Sequence, residues 1–229
     1  MMVHVKPAAA ELIGTFVIVF AGSGAIMADV MSGGALGTVG VGLAFGLAFG
    51  VMILVFGPVS GAHFNPAISL VMLAVRGLPV RTMLIYVTAQ ILGALIAAFL
   101  LRELLGTVAM IGTPMPNRQI AAVAGIAPNL MILILEFIFT ALVAGVVLSV
   151  TGDTHIRGPL AAVAVGAAIM LAMLVVGPLS GAGLNPARYL GPAAASGSLD
   201  FFLAYISAPI AGAFAGALLY RLVIDRRGV

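Results

Sequence analysis

The chain has 229 residues, of which 63% are hydrophobic and only 7% charged, with a formal net charge of +3. Soluble domains carry about 25% charged residues, so this composition excludes a water-facing globule and makes lipid the solvent for most of the exterior. Cysteine is absent, which excludes disulfides, thiolate metal sites and thiol nucleophiles. The ten Lys and Arg fall at the ends of apolar runs, the pattern of membrane topology and not of a nucleic-acid-binding stripe.

In chain order the long apolar runs are Ala8–Ala28, Thr38–Phe56, Arg81–Leu105, Asn129–Val150, Pro159–Val176 and Phe201–Ile224. Each approaches or exceeds the roughly 20 residues that a spanning helix needs, and none alternates as a barrel strand would. The first has no convincing cleavage site and reads as a span, not a signal peptide. Two shorter stretches, Pro66–Val75 and Pro186–Ala195, cannot span. Each opens on proline, which suits the first position of a helix, so both read as half-helices. The 29 glycines suit close helix packing, and the run Gly42, Gly46, Gly50 forms one small face. The prediction is an all-α membrane protein of six spans and two re-entrant half-helices.

The chain also repeats itself. Gly57-Pro58-Val59-Ser60-Gly61-Ala62-His63-Phe64-Asn65-Pro66-Ala67 lies over Gly177-Pro178-Leu179-Ser180-Gly181-Ala182-Gly183-Leu184-Asn185-Pro186-Ala187 at an offset of 120. Tyr86–Ala94 lies over Tyr205–Ala213, Arg102 over Arg221, and Glu11 and Thr15 are echoed by Glu136 and Thr140. The reading is one channel domain over 1–229, with repeats at about 8–105 and 129–224 and a linker at about 106–128. Three crossings per half start the second half on the opposite face, so the repeats are expected to be inverted and the two Asn-Pro starts to meet at the midplane. Lys6, Arg76, Arg81, Arg157, Arg221, Arg226 and Arg227 then gather on one side, against Arg102, Arg118 and Arg188. That excess predicts both termini in the cytoplasm.

Non-helical backbone at membrane depth must line a cavity or be buried in protein. Gly57–Phe64 and Gly177–Leu184 are expected to be such backbone, with free carbonyls as acceptors for a permeating molecule. Asn65 and Asn185 cap their half-helices and offer amide donors. The half-helix N-termini add partial positive charge at the centre. This combination admits neutral molecules and opposes cations and protons.

On these motifs, with Arg188 closing the second, the chain resembles the major intrinsic protein family of aquaporins and glycerol facilitators over Glu11 to Arg221. The resemblance implies a right-handed six-span bundle, an hourglass pore in each subunit and a homotetramer in the cell membrane. It makes Asn65, Pro66, Ala67, Asn185, Pro186 and Ala187 the pore centre. It makes Arg188 the constriction arginine, with Phe45, Met173 and Ala182 carried over as its partners. The strict water channels have histidine at the place of Met173 and usually Thr or Cys at that of Ala182, so this filter is expected to be less polar. The strict glycerol facilitators have Asp and a basic residue where Tyr189 and Ala193 stand. Ala182, Ala193, Tyr205 and Ile206 are instead similar to the nodulin-like intrinsic proteins of plants.

Glu11 and Glu136 are expected to accept hydrogen bonds from their own re-entrant loops, and His63 to brace the first. Tyr86 and Tyr205 read as packing or interfacial residues. His63 has no ligand partner nearby, and His4 and His155 are terminal or in a loop, so no metal or cofactor is expected. Ser60 and Ser180 have the wrong spacing for an intramembrane protease, so no enzyme is expected. The reading is a passive channel for water and other small uncharged solutes. Glycerol, ammonia or metalloid acids with low water flux are the alternative. An ion-coupled transporter acting through Glu11 or Glu136, or a junction protein without permeability, are the rival classes. Because no thiol exists to react, water flux through this chain should survive mercurials; strong reversible inhibition in proteoliposomes would contradict that.

Overall fold

The structure, a computed structural model, describes residues 4–152 and 158–223. His155, Arg157, Arg226 and Arg227 of the sequence reading lie outside the described residues. The elements are α1 (Val5–Met31), α2 (Gly37–Ser60), α3 (Pro66–Arg76), α4 (Val80–Leu105), α5 (Arg118–Val123), α6 (Pro128–Gly152), α7 (Pro159–Ser180), α8 (Pro186–Ser196) and α9 (Phe202–Val223). A short turn at Val108–Gly112 precedes α5. Six of these helices, α1, α2, α4, α6, α7 and α9, are long and apolar enough to cross a membrane. At 1.5 Å per residue, α3 and α8, with 11 residues each, reach about 16 Å, roughly half a bilayer core.

Burial is inverted relative to a soluble protein. Leu47, Leu104, Leu160 and Leu203 are each more than 60% exposed, while Glu11, Gln90 and Glu136 are fully buried. Ionisable groups in a bundle interior cost several kcal/mol unless paired, so their placement marks where the interior is polar by construction.

The helices pack in matched pairs. α1 packs on α4 and α2, and α6 on α9 and α7; α2 and α7 pack on each other. Each half-helix crosses to the other half, α3 onto α9 and α8 onto α4. Small residues allow these contacts. Gly46 and Gly166 meet face to face: a Cβ on either would lie 2.7 or 2.6 Å from the other's carbonyl oxygen. A Cβ on Gly50 would approach the Ala162 carbonyl to 3.2 Å, so the small face on α2 is the α7 contact. Gly93 rests on the Leu12 carbonyl and Gly212 on that of Phe137, the corresponding places of the two halves.

One expectation is corrected. Gly57–Ser60 and Gly177–Ser180 are the last turns of α2 and α7, not open loop, despite Pro58 and Pro178. A proline in the last turn removes one intrahelical bond and leaves the following ones intact. Gly61 N–H reaches Gly57 O at 3.0 Å and Gly181 N–H reaches Gly177 O at 2.9 Å, closing each turn. Gly61 and Gly181 are left-handed, with φ of 86° and 78°, and end the helices. The irregular backbone is therefore only four residues in each half, 61–64 and 181–184.

The Gly46 contact generates a test. Gly46→Val should lower unfolding free energy in detergent by about 1–3 kcal/mol, because the obstacle is backbone that cannot rotate away. The exposed Leu47→Ala should stay within about 0.5 kcal/mol. Equal stability of the two variants would refute the close crossing.

Candidate functional site

Each irregular segment is left-handed at three of its four residues. φ is 86°, 53° and 51° at Gly61, Ala62 and Phe64, and 78°, 43° and 54° at Gly181, Ala182 and Leu184. Left-handed non-glycine backbone costs about 1–2 kcal/mol per residue, so other contacts must hold it. The principal ones come from two buried carboxylates. Glu11 Oε1 accepts from His63 N–H at 2.9 Å and from the Ser60 hydroxyl at 2.6 Å. Its Oε2 accepts from Phe64 N–H at 2.7 Å and Gln90 Nε2 at 2.8 Å. Glu136 Oε1 accepts from Gly183 N–H at 3.0 Å and the Ser180 hydroxyl at 2.7 Å, and its Oε2 from Leu184 N–H at 2.6 Å.

With the N–H groups held, the carbonyls are left over. Among the described residues no protein donor reaches the carbonyl oxygens of Gly61, Ala62 and His63, or of Gly181, Ala182 and Gly183. The carbonyls on either side are taken. The Tyr86 hydroxyl donates to Ser60 O at 2.8 Å, and that of Tyr205 donates to Ser180 O. These tyrosines are clamps on the helix–loop junctions. His63 Nδ1 lies 3.1 Å from the Ser69 hydroxyl, and its ring meets the Tyr86 ring edge-on at 5.2 Å.

The two Asn-Pro starts meet directly. Asn65 Nδ2 donates to Leu184 O at 2.9 Å, and Asn185 Nδ2 donates to Phe64 O at 2.8 Å. Each Asn Oδ1 accepts from its own half-helix, Ala67 N–H at 2.9 Å in α3 and Ala187 N–H at 2.9 Å in α8. Pro66 and Pro186 occupy the first helical position, where no N–H is needed. Each asparagine thus has one amide hydrogen committed across the junction and, among the described residues, a second uncommitted.

Arg188 follows on the first turn of α8 and is 2% exposed. Its Nη1 donates to Gly112 O at 2.9 Å. Its Nε and Nη2 have no hydrogen-bond partner among the described residues. The guanidinium carbon lies 5.0 Å from the centre of the Phe45 ring. Phe45, Met173 and Ala182 share one apolar cluster with Phe64 and Leu184. The structure therefore brings Arg188 and Phe45 into contact and gathers Met173 and Ala182 in the same cluster.

The geometry belongs with a known lineage. The model of the major intrinsic protein family matches residues 2–220. The chain belongs to that family. Rice (Oryza sativa subsp. japonica) "Aquaporin NIP1-1" is 39% identical over 214 residues, covering 93% of this chain and 72% of the rice protein. "Nodulin-26" of Glycine max is 33% identical over 215 residues, covering 93% and 76%. The aquaglyceroporin from Plasmodium falciparum, solved by X-ray, superposes with a TM-score of 0.85 at 25% identity, covering 96% of this chain and 97% of that one. The fold is accordingly the aquaporin fold. As a major intrinsic protein the chain is a multi-pass membrane channel for small neutral solutes and not an enzyme.

Several residues of the site were not read from the sequence. Ser60 and Ser180, like Tyr86 and Tyr205, stand at corresponding places in the two repeats, so the symmetry signalled them without saying what they bind. Gln90 faces Pro209 in the repeat and gave no signal. Gly112 lies in the linker, where the repeat has nothing to compare. It is presented by three left-handed residues, Ala109, Met110 and Ile111, and packs on Ser23 of α1.

Glu136→Gln tests the loop contacts. The amide sets an N–H group against a loop N–H, leaving a buried donor unsatisfied. Unfolding free energy should fall by about 1–3 kcal/mol, read by thermal melting in detergent. Undiminished stability would show that the carboxylate does not hold the loop.

Proposed function

We propose that this chain passively conducts water together with other small uncharged solutes and excludes ions and protons. The observation that carries this reading is that two buried nitrogens of Arg188, Nε and Nη2, have no partner among the described residues and stand beside the Phe45 ring. A neutral molecule can accept from them, whereas a cation meets a fixed positive charge in a low-dielectric setting. Met173 and Ala182 complete the constriction as its apolar wall. The six free carbonyls continue the path as acceptors on both sides of the junction. Asn65 and Asn185 turn the solute with their uncommitted amide hydrogens.

A second reading favours glycerol, ammonia or metalloid acids over water. Its support is the filter itself, where Met173 and Ala182 supply no hydrogen-bonding side chain, and the solved relative described as an aquaglyceroporin. Each half is one arm of an inverted repeat, an arrangement supported by the matched pairing of α1–α4 with α6–α9. The chain resides in the cell membrane as a homotetramer with both termini in the cytoplasm. The charge excess supports the orientation, and the family resemblance supports the tetramer.

The test is stopped-flow flux into proteoliposomes with water, glycerol, urea and arsenous acid side by side, on wild type and Arg188→Val. Wild type should pass water and at least one of the other solutes while remaining tight to protons. Arg188→Val should raise proton or cation leak above the protein-free background. No flux of any probe through wild type, or an unchanged leak in the variant, would overturn the reading.

A further inference from the structure

We propose that Gly22, a residue of α1 outside the four-residue constriction, is a specificity-determining position that sets pore width by fixing how far the Phe45 ring withdraws. The proposal rests on the reading of Phe45 and Arg188 as the constriction.

Gly22 has no side chain, and the Phe45 ring occupies the space where one would be. A Cβ built there falls on the ring, with Cε1, Cζ and Cδ1 as its nearest atoms. The ring also faces the Arg188 guanidinium, 5.0 Å from its centre. Phe45 is thus held between a notch in α1 and the filter cation. Its position is a compromise between the two, and the notch sets one limit. Gly14, eight residues earlier and about two turns away, receives the Phe64 ring in the same manner. Phe64 carries the carbonyl that accepts from Asn185. One helix therefore recesses an aromatic ring at both levels, the filter and the central junction.

The other half does not repeat this pattern. At the offset relating Glu11 to Glu136, Gly14 and Gly22 correspond to Phe139 and Val147. At the offset of the Asn-Pro-Ala segments, Phe64 and Phe45 correspond to Leu184 and Val165. There neither spanning-helix position is a glycine and neither counterpart is an aromatic ring. The framework does not require a glycine under a ring, since its second copy does without one. The notch is a feature of the first half alone.

α1 cannot retreat to make room. It is backed by α4 through Val19, Ala94 and Ala97 before Gly22 and through Met27, Ala98 and Leu101 after it, all nearly or fully buried. Interiors at this density pass a volume change on to whatever can move. A methyl group on Gly22 therefore displaces the ring towards Arg188 and the lumen.

The experiment measures osmotic water and glycerol permeability of proteoliposomes bearing wild type, G22A, F45L and G22A/F45L. The glycerol-to-water ratio of G22A should fall about tenfold, the rate equivalent of a small overpacking penalty at the barrier. G22A/F45L should restore it to the wild-type value or above, which general loss of structure would not do. If wild type passes water alone, the same tenfold fall and rescue are read in water permeability. If G22A does not reconstitute, the double variant decides: wild-type-like flux supports the proposal, and failure overturns it. A conducting wild type whose ratio G22A leaves within about twofold overturns the role of Gly22 alone. A wild type that passes neither probe overturns the solute reading and this proposal with it.

Discussion

Backbone that leaves a helix inside a bilayer has no water to take its N–H groups, so the protein must supply acceptors. Glu11 and Glu136 do this, and the polar interior is arranged around them. Each carboxylate takes two consecutive loop N–H groups and the serine that ends the preceding spanning helix. A buried carboxylate is costly unless several donors converge on it, and here the loops are the donors. The exchange is mutual: the loop justifies the buried charge, and the charge holds a backbone that is left-handed at three residues of four. The free carbonyls follow as a consequence, since a peptide unit whose N–H is fixed on one side leaves its oxygen to the other.

The junction of the two Asn-Pro starts follows from the same economy of donors. Each asparagine uses its oxygen to cap its own half-helix and one amide hydrogen to hold the opposite loop. The two half-helices are therefore tied by reciprocal bonds at their N-termini, where their dipoles are both positive and would otherwise repel. Their far ends are anchored too. Arg102 of α4 donates to Ala195 O of α8 at 2.9 Å, and Arg76 of α3 reaches Leu148 O of α6 at 3.3 Å. Cations at helix C-termini complement the dipole, so charges that read as topology signals in the sequence also fix the half-helices.

The two halves share a frame but differ in detail. Glu11 receives a fourth donor from Gln90, which also reaches Ser69, whereas Pro209 and Tyr189 occupy the corresponding places by Glu136. Tyr189 instead stacks on Tyr205 at 4.9 Å and donates to Asp200 O at 2.6 Å. The setting of Arg188 is equally one-sided. Arg188 comes from the second half-helix, Phe45 from the first repeat, and Gly112, which orients the arginine, from the linker between them. The surroundings of Arg188 are thus built from the departures from symmetry, while the open carbonyls and the asparagine junction are built from the symmetry.

The sequence by itself determined the solvent of the exterior, the six spans, the two half-helices and the pairing of Asn65 with Asn185. These are legible because lipid imposes composition and length on each segment separately, and because a repeat prints the same residues twice. It misjudged where the helices end, since Pro58 and Pro178 look like breakers but cost only one bond in a last turn. Only the tertiary structure decided which carbonyls remain free, which nitrogen of Arg188 is anchored and how far Phe45 is recessed. Each of these depends on a partner distant in the chain, Tyr86 for Ser60, Gly112 for Arg188 and Gly22 for Phe45. A glycine serving as a notch leaves no mark on hydropathy or periodicity, because its contribution is the space it does not fill.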